Sequence, residues 1–590
     1  MNVQSKKFLL VGGLGPTDLS GKVPRPGLLM LRRALRQAGH EAVIDNYATT
    51  LMGKLYPLNL VKRLTTIYQR SIKPLVIEGK NPLLPPWRSL KLFYDLRQLK
   101  LITKELSIIE KEVYGKLGQE LVERIKTERF DAVGFSLFLG GSTVGSIIMA
   151  NTLRAADPTL PIIFGGPQTS HLAETIYQET NAPTALVRGE GEQAIVGIAG
   201  IIDQLKAGQL SNLNQIPNVI FKDQQGQIIA TTRQRLALDD WVKLSSAPYE
   251  EADLQGLMRY AFIETSRGCP WGCNFCSQPL LSGKIRYLKP AARIVDEMVE
   301  LNQKYGLTNF EMVGSSTPPS QAEAIAEALI ARGLAGKFNW VAFMRGKDER
   351  ARESDPAKLM DKLKKTGAAA LFFGVEAADN ETLRLMGKKE TIEEIKTMML
   401  AARQAGIATI GSFIYPYPGM PANEAALIMD FIRETKPLSA PVQALGLYPG
   451  TESADRAADI GCEIVYPEAA DRRLARQGKK PPATMASPEV LRYLLTYPLI
   501  LSLPMRLWPA LPWKIDGKDY AEYVKDVNRL QKRVNQLGIL TGFSHSHYLI
   551  ARVLGLAPQV LAEKMFYLSL TGDPAATSEA IENFNSQSRK

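Results

Sequence analysis

Three cysteines fall within eight positions in the run Thr265-Ser-Arg-Gly-Cys-Pro-Trp-Gly-Cys-Asn-Phe-Cys276. Their spacing is Cys-x3-Cys-x2-Cys, and the fourth cysteine of the chain, Cys462, lies far downstream. Thiolates are the usual ligands of iron–sulfur clusters. Three thiolates on one tight loop can bind three irons of a [4Fe–4S] cube and leave the fourth iron open to a cofactor or substrate. We therefore expect Cys269, Cys273 and Cys276 to be cluster ligands.

These cysteines could instead form a disulfide or bind zinc. A disulfide needs an oxidising compartment, but the chain has only four cysteines and its first residues do not form a secretory signal. A zinc site usually has a fourth Cys or His close to the others. The four histidines of the chain lie away from the loop, at His40, His171, His545 and His547. We therefore favour a cluster and expect a cytoplasmic protein, because such clusters are sensitive to oxygen.

The composition is that of a globular protein with more than one core. The chain has 590 residues, of which 45% are hydrophobic, and at about 100–200 residues per domain this suggests three domains. The net charge of +12 would suit an acidic substrate, a membrane surface or a nucleic acid. Because the charges are spread along the chain, a solvated basic surface is favoured and no nucleic-acid partner is expected.

Two apolar stretches bear on membrane contact. Residues 132–153 carry no charge and approach the length of a membrane span. Glycines and Ser, Thr and Asn residues interrupt them, which predicts strand, turn and helix instead. Residues 499–513, with their Trp and Pro residues, are an alternative site of contact with a membrane or a hydrophobic substrate.

The order of apolar segments predicts an α/β chain. Strands alternate with helices over residues 1–215, which is typical of a parallel sheet with helical crossovers, and a helical insertion occupies 51–126. The strands end in glycines at their carboxyl edge, where open α/β sheets bind ligands. Residues 216–257 are predicted to form a linker with a hairpin. Strand-then-helix units repeat over 258–460, and 461–590 are mainly helical.

The cysteine loop and the residues before it resemble the radical S-adenosylmethionine (SAM) enzymes, and Phe275 fits their pattern. Residues 258–460 are similar to the partial (β/α)6 TIM-type barrel of that family, which places its site at the carboxyl ends of the strands. The segment Gly374-Val-Glu-Ala377 matches the fourth barrel strand. The resemblance implies that Glu376 meets the ribose or amino group of SAM, with an ion pair as the alternative. Lys388 and Lys389 follow in a Lys-rich turn and are expected to be solvated.

The N-terminal region resembles the Rossmann-like cobalamin-binding domain that is fused to many radical SAM enzymes. The matching segments are Gly134-Phe-Ser136, Phe164-Gly-Gly-Pro167 and Arg188-Gly-Glu-Gly-Glu192. The resemblance implies that cobalamin is contacted by a set of residues in these segments: Ser136, Gly165, Gly166, Gly189 and Glu190.

One feature of cobalamin mutases is missing from the N-terminal region. There is no Asp-x-His-x-x-Gly sequence, and His40 has no matching context. We therefore expect His40 to be a surface or turn residue and the lower cobalt face to have no histidine ligand. The alternative is a domain that keeps this fold without the cofactor.

The two resemblances together imply an enzyme that methylates an unactivated carbon. A [4Fe–4S] cluster, SAM and cobalamin are the expected cofactors, because a side-chain base cannot abstract such a hydrogen and a cofactor must supply the reactivity. The expected partners are a small-molecule or peptide substrate and an external electron donor of the flavodoxin or ferredoxin type. Two alternatives stay open. One is a radical SAM cyclase or rearrangement enzyme of tetrapyrrole or natural-product biosynthesis, and the other is a non-catalytic cobalamin- or cluster-binding protein.

Overall fold

The computed structural model describes most of the chain, with gaps. The described residues are 4–14, 23–47, 51–55, 57–67, 86–138, 140–244, 248–254, 259–348, 355–464, 513–515, 518–542 and 544–562.

The first sheet has seven strands in the order β2-β1-β3-β4-β5-β6-β7. The first five pair in parallel, and β6 and β7 form an antiparallel hairpin on the edge of β5. The hairpin therefore forms as expected, and it also completes this sheet. The strands are β1 (Lys7–Gly12), β2 (Glu41–Asn46), β3 (Ala132–Ser136), β4 (Ile162–Gly165), β5 (Ala185–Val187), β6 (Val219–Lys222) and β7 (Ile228–Ala230).

Helices cover both faces of the first sheet, as expected for parallel strands with apolar residues on both sides. Within the predicted helical insertion the described residues are helical, and its longest helix packs against the helix that follows β3. The helices are α1 (Pro26–Gln37), α2 (Leu51–Leu55), α3 (Leu58–Ile67), α4 (Pro86–Glu128), α5 (Gly140–Ala156), α6 (Pro167–His171), α7 (Ala173–Glu179), α8 (Glu192–Gly200), α9 (Ile202–Lys206) and α10 (Leu238–Leu244).

The second sheet is an open barrel of six parallel strands with a short antiparallel strand at one edge. Its order is β14-β13-β12-β11-β10-β8-β9, which matches the predicted partial (β/α)6 barrel except for β9. The strands are β8 (Ala261–Arg267), β9 (Tyr287–Leu288), β10 (Asn309–Gly314), β11 (Asn339–Met344), β12 (Ala368–Glu376), β13 (Ala408–Ile414) and β14 (Val442–Gln443).

Amphipathic helices pack on the outside of this barrel and form its largest apolar core. Successive side chains of a strand point to opposite faces. Outward residues such as Trp340 are therefore fully buried under the helices, whereas the inward residues Val313, Phe343 and Phe372 are only half-buried. The helices are α11 (Gln278–Ser282), α12 (Ala291–Tyr305), α13 (Pro319–Ala331), α14 (Pro356–Lys365), α15 (Asn380–Leu385), α16 (Ile392–Gln404), α17 (Glu424–Thr435) and α18 (Glu452–Asp455).

The described part of the C-terminal region combines a small sheet with two helices. Strands β15 (Cys462–Ile464), β16 (Trp513–Ile515) and β17 (Lys518–Asp519) pair antiparallel, and α19 (Tyr520–Gln536) and α20 (His545–Val553) follow them. Of the apolar stretch 499–513, all but Trp513 lies outside the described residues. Within the described ranges, no helix has the length and apolar character needed to cross a membrane.

Helix α20 packs against β10, β11 and β12, and the side chain of its first residue, His545, is 13% exposed. Burial lowers the pKa of His545 to about 3, and the neighbouring His547 adds to this effect. Between this pKa and the ordinary value of 6.5 the folded state binds fewer protons than the unfolded state. The free energy of unfolding therefore falls as the pH falls below 6.5.

This pKa predicts a measurable pH dependence of stability. Wild-type protein should lose about 2 kcal/mol of stability through His545 between pH 7 and pH 5. The variant His545→Phe should not show this part of the loss, whereas His547→Gln should retain it. Urea unfolding at the two pH values measures the difference. An equal loss in wild type and His545→Phe would show that His545 is not held neutral by burial.

Candidate cofactor and active site

The cysteine loop leaves the end of β8 through Gly268. The backbone of Gly268 has a φ of +75°, and a Cβ there would lie 2.0 Å from the carbonyl oxygen of Ile285, so only glycine fits. The loop is then fixed by its own amides: that of Cys269 donates to the carbonyl of Gly283 at 3.0 Å, and that of Asn274 donates to the carbonyl of Met386 at 3.0 Å. The loop therefore has a defined shape before any cluster binds.

The three cysteines of the loop are free thiols that are partly exposed. Burial raises the pKa of Cys276 to about 11 and also raises that of Cys269. The positive charges of Arg286 and Arg345 partly oppose the rise in the pKa of Cys269. Arg286 Nη2 lies 3.9 Å from Cys269 Sγ, and Arg345 Nη1 lies 3.5 Å from Cys273 Sγ. Metal binding requires the thiolate form, and these arginines supply charge that stabilises it.

Among the residues that the structure describes, no three His, Cys, Asp or Glu side chains converge as ligands of a single metal ion. A cubane cluster does not require such convergence, because each thiolate binds a different iron. Three thiols on one loop, with cations beside two of them, fit a [4Fe–4S] cluster. Phe275 lies between the last two cysteines and packs against the barrel core, which anchors the loop.

A charged group lies next to the loop, at the carboxyl ends of β11 and β12. Glu376 has a φ of +69°, and its carboxylate folds back over Gly374, where a Cβ would lie within 2.2 Å of it. Burial raises the pKa of Glu376, and the positive charges of Lys388 and Arg345 partly oppose the rise. A carboxylate held in this strained backbone conformation beside the cysteine loop is suited to bind a cationic amino group or a hydroxyl.

Lys389 is exposed, as predicted, but the prediction that Lys388 is solvated is wrong. The Lys388 side chain is 3% exposed, and its Nζ forms an ion pair with Glu390 Oε1 at 2.7 Å. The turn that carries it folds onto the cysteine loop, where a Cβ on Gly387 would lie 2.6 Å from the carbonyl oxygen of Gly272. Arg345 also pairs with Glu390, at 3.3 Å, and its guanidinium lies over the ring of Trp271. Lys388, Glu390 and Arg286 are site residues that the sequence reasoning did not find.

A cavity of about 300 Å³ lies between the carboxyl edge of the first sheet and the mouth of the barrel. All five residues predicted to contact cobalamin line it: Ser136, Gly165, Gly166, Gly189 and Glu190. From the barrel side it is lined by residues on or near β8, α11 and β10, among them Ser266, Gln278 and Ser315. Gln278 comes two residues after Cys276, so one cavity lies between the glycine loops and the segment that follows the cysteine loop.

The polar atoms around this edge of the first sheet suit a ligand with amide groups. Three buried oxygens there have no hydrogen-bond partner in the protein: Thr143 Oγ1, Gln168 Oε1 and Glu192 Oε2. A Cβ added to Gly165 would meet no atom within 4 Å, so the glycine leaves open space. Buried polar atoms without partners are costly, and a bound molecule would satisfy them. The residues therefore fit cobalamin, and the cavity has room for part of it, such as the nucleotide tail.

His40 is not among the described residues that line this cavity. His40 lies at the opposite, amino edge of the first sheet, where its Nδ1 accepts from the amide of Lys6 at 3.2 Å. It precedes β2 but is only 6% exposed. His40 directly follows the turn at residues 38–39. The prediction that it lies at the surface is wrong, because Phe8 packs on its ring and the amide of Lys6 donates to it.

Arg267, two residues before the first cysteine, joins the two halves of the molecule. It is 8% exposed, and Nη2 donates to Glu192 at 2.6 Å while Nε donates to Glu264 at 2.8 Å. Glu190 lies 3.6 Å from Nη1. Glu190 also accepts from the amide of Leu236 at 2.7 Å and from Arg235 Nε at 3.4 Å. The glycine loop of the first sheet is therefore tied to the strand that leads into the cysteine loop.

Replacing Arg267 should destabilise the protein strongly. The variant Arg267→Gln leaves buried carboxylates without their cation, which typically costs about 3–5 kcal/mol. Guanidinium unfolding followed by circular dichroism measures the loss. Arg456→Gln is the control, because Arg456 is exposed and pairs only at the surface, and it should leave stability nearly unchanged. Equal losses in the two variants would rule out this role of Arg267.

Two protein families match the parts of the chain that form this site. Residues 263–432, which include the cysteine loop and most of the barrel, match the Radical SAM superfamily. Residues 103–199, which include the glycine-ended strands, match the B12 binding domain. The chain therefore contains a radical SAM domain and, before it, a B12-binding domain. These domains imply a [4Fe–4S] cluster, SAM and cobalamin, which confirms the cofactors predicted from the sequence.

The curated relatives of this chain include methyltransferases and cyclases. An uncharacterized methyltransferase of Pyrococcus horikoshii is 25% identical over 49% of this chain and 61% of its own length. An anaerobic magnesium-protoporphyrin IX monomethyl ester cyclase of Cereibacter sphaeroides is 26% identical over 50% of this chain and 48% of its own. The chain thus spans about half the length of the curated relatives it matches.

A solved structure shares the whole fold. It is that of the radical SAM methyltransferase TsrM from Kitasatospora setae, with cobalamin and a [4Fe–4S] cluster bound. The TM-score is 0.59 at 14% identity, and the match covers 99% of this chain and 100% of that one. It supports the α/β architecture with an N-terminal B12-binding domain followed by a radical SAM barrel, which confirms the predicted fold class.

Proposed function

We propose that the protein methylates an unactivated carbon of an organic substrate, using both cofactors at one site. The observation that carries this proposal is the single cavity lined by Gly165 and Gly166 from the B12-binding domain and by Gln278, beside Cys276, from the radical SAM domain. A substrate at that boundary would face both cofactors. When bound, the cluster with SAM supplies a hydrogen-abstracting radical, and cobalamin supplies a methyl group.

The residues of the chain position these groups and exclude water. Cys269, Cys273 and Cys276 hold the cluster, and Arg345 beside Cys273 stabilises negative charge there. Glu376 orients SAM through its amino group or ribose. The ion pairs of Arg267 with Glu192 and Glu190 fix the position of the two domains relative to each other. The distance between the two cofactors is therefore kept constant. Fixed geometry of this kind is how a protein directs a reactive cofactor to one position of a substrate.

The cyclase among the relatives favours a second candidate. The same pair of domains would then catalyse ring formation or rearrangement without net methyl transfer. Both candidates need an external electron donor, and we propose a protein of the flavodoxin or ferredoxin type in a reducing compartment such as the cytoplasm. The two candidates differ in how they consume SAM and in the mass of the product.

Product analysis separates the two candidates. The anaerobically reconstituted enzyme is given reductant, SAM labelled in its methyl group, and candidate substrates of small organic and peptide type. Methylation predicts S-adenosylhomocysteine and 5′-deoxyadenosine in a ratio near one to one, with the label in the product. Deoxyadenosine with a converted substrate but no S-adenosylhomocysteine and no label would instead establish the cyclase or rearrangement class.

A further inference from the structure

Helix α20 places a polar cluster inside the barrel. It packs against β10, β11 and β12, with Leu549 and Ile550 fully buried. At its amino end, Ser546 Oγ donates to Glu311 Oε1 at 2.8 Å, and His545 Nε2 lies 3.7 Å from the same oxygen. Glu311 belongs to β10 and is 7% exposed. A C-terminal helix therefore supplies side chains to the barrel interior.

The strand pattern places this cluster on the same face as the cofactor site. The rings of Phe343 and Phe372 stack at 5.0 Å, and the edge of His545 meets Phe372 at 5.4 Å. Residues two and four apart on a strand share a face. Phe343 therefore shares its face with Arg345, which contacts Cys273, and Phe372 shares its face with Glu376. At about 3.3 Å per residue, Phe372 lies roughly 13 Å below Glu376.

Side chains between the two levels leave part of their surface uncovered. Val313, Phe343 and Phe372 lie within strands covered on the outside by helices, yet each is half-buried rather than fully buried. Their exposed surface therefore faces the interior of the barrel. A molecule there would lie between the two stacked rings and the cofactor level.

One atom of the cluster lacks a partner. The side chain of His545 is only 13% exposed. Its Nδ1 is buried and makes no hydrogen bond with any described residue. Nε2 is the nitrogen that faces Glu311, so the neutral ring carries its hydrogen there and presents a lone pair at Nδ1. A buried acceptor without a donor is unfavourable unless a ligand supplies one.

We infer that the floor of the substrate site is formed by His545, Phe343 and Phe372, and that it selects a small organic molecule with a flat apolar part and an N–H or O–H donor. The apolar part lies against the two phenylalanine rings, and the donor binds His545 Nδ1. This inference rests on the proposed function, since it assigns the substrate class for the same barrel. It also gives α20 a role beyond closing the barrel.

Binding of a matched pair of probes tests the inference. Indole carries an N–H donor, and 1-methylindole has the same flat ring without it. The full-length, reconstituted enzyme should bind indole about two- to tenfold more tightly, as expected for one hydrogen bond, by equilibrium dialysis. His545→Phe should remove this preference. His547→Gln, which keeps a capping side chain at the same helix position, should retain it.

The inference is supported if wild type and His547→Gln prefer indole and His545→Phe does not. No binding of either probe, equal binding by wild type, or a preference that survives in His545→Phe would overturn the inference, as would its loss in His547→Gln. Iron and cobalt contents are measured on the same samples. A normal content with no indole preference refutes the substrate floor alone, whereas absent cobalt refutes the proposed function.

Discussion

Cys273→Ala is expected to lose the cluster and, with it, all cleavage of SAM. Each of the three thiolates holds one iron, and the two remaining cysteines cannot keep a cube in place. Arg345 Nη1 lies 3.5 Å from Cys273 Sγ, so the variant also removes one neighbour of this buried guanidinium, which keeps its ion pair with Glu390. Iron content, the absorbance of the cluster and formation of 5′-deoxyadenosine under reductant measure the loss.

The fourth cysteine provides the matched control for this experiment. Cys462 is 2% exposed and lies in β15, among apolar residues of the barrel core. Cys462→Ala removes a small buried group and should cost some stability, but it should leave the iron content and SAM cleavage near those of wild type. Loss of iron in Cys462→Ala as complete as in Cys273→Ala would show that the ligand assignment is wrong.

Gly165→Val is expected to remove cobalamin while the cluster stays. A Cβ at Gly165 meets no protein atom within 4 Å, and the position lines the cavity between the domains. The valine therefore fits the strand and fills space that the cofactor needs. Forcing extra methyl groups into occupied space costs about 1–3 kcal/mol, so the affinity should fall by about tenfold or more.

Gly200→Val serves as the control for this change. A Cβ at Gly200 also meets nothing within 4 Å, but Gly200 ends α8 and is not among the residues of the cavity. Hydroxocobalamin titrations followed by absorbance should give an unchanged dissociation constant for Gly200→Val. Equal affinity in wild type and Gly165→Val would mean that cobalamin does not occupy this cavity.

The parts of the site with a local signature could be predicted from the sequence. The cysteine spacing, the apolar strands and their terminal glycines are contiguous in the chain, and each records a backbone requirement such as the positive φ of Gly268. The six parallel barrel strands lie within the predicted range 258–460, and the β6–β7 hairpin lies within 216–257.

Features that depend on distant contacts could not be predicted from the sequence. In the sequence, Lys388 has the features of a solvated lysine. In the structure, its turn packs against the cysteine loop, more than a hundred residues earlier in the chain, and Lys388 lies beside the Glu390–Arg345 ion pair. Strand β9 has two residues, too few for a periodic pattern. His545 begins an ordinary amphipathic helix, and only the tertiary structure places it on Glu311 inside the barrel.

The central claim is that one chain holds a cluster and cobalamin at a shared cavity. Its most direct test is the iron and cobalt content of full-length protein that has been reconstituted anaerobically with iron, sulfide and hydroxocobalamin and then freed of unbound cofactor, together with its optical spectrum. We predict four irons and one cobalt per chain, with both chromophores visible. Four irons with no retained cobalt would contradict the claim.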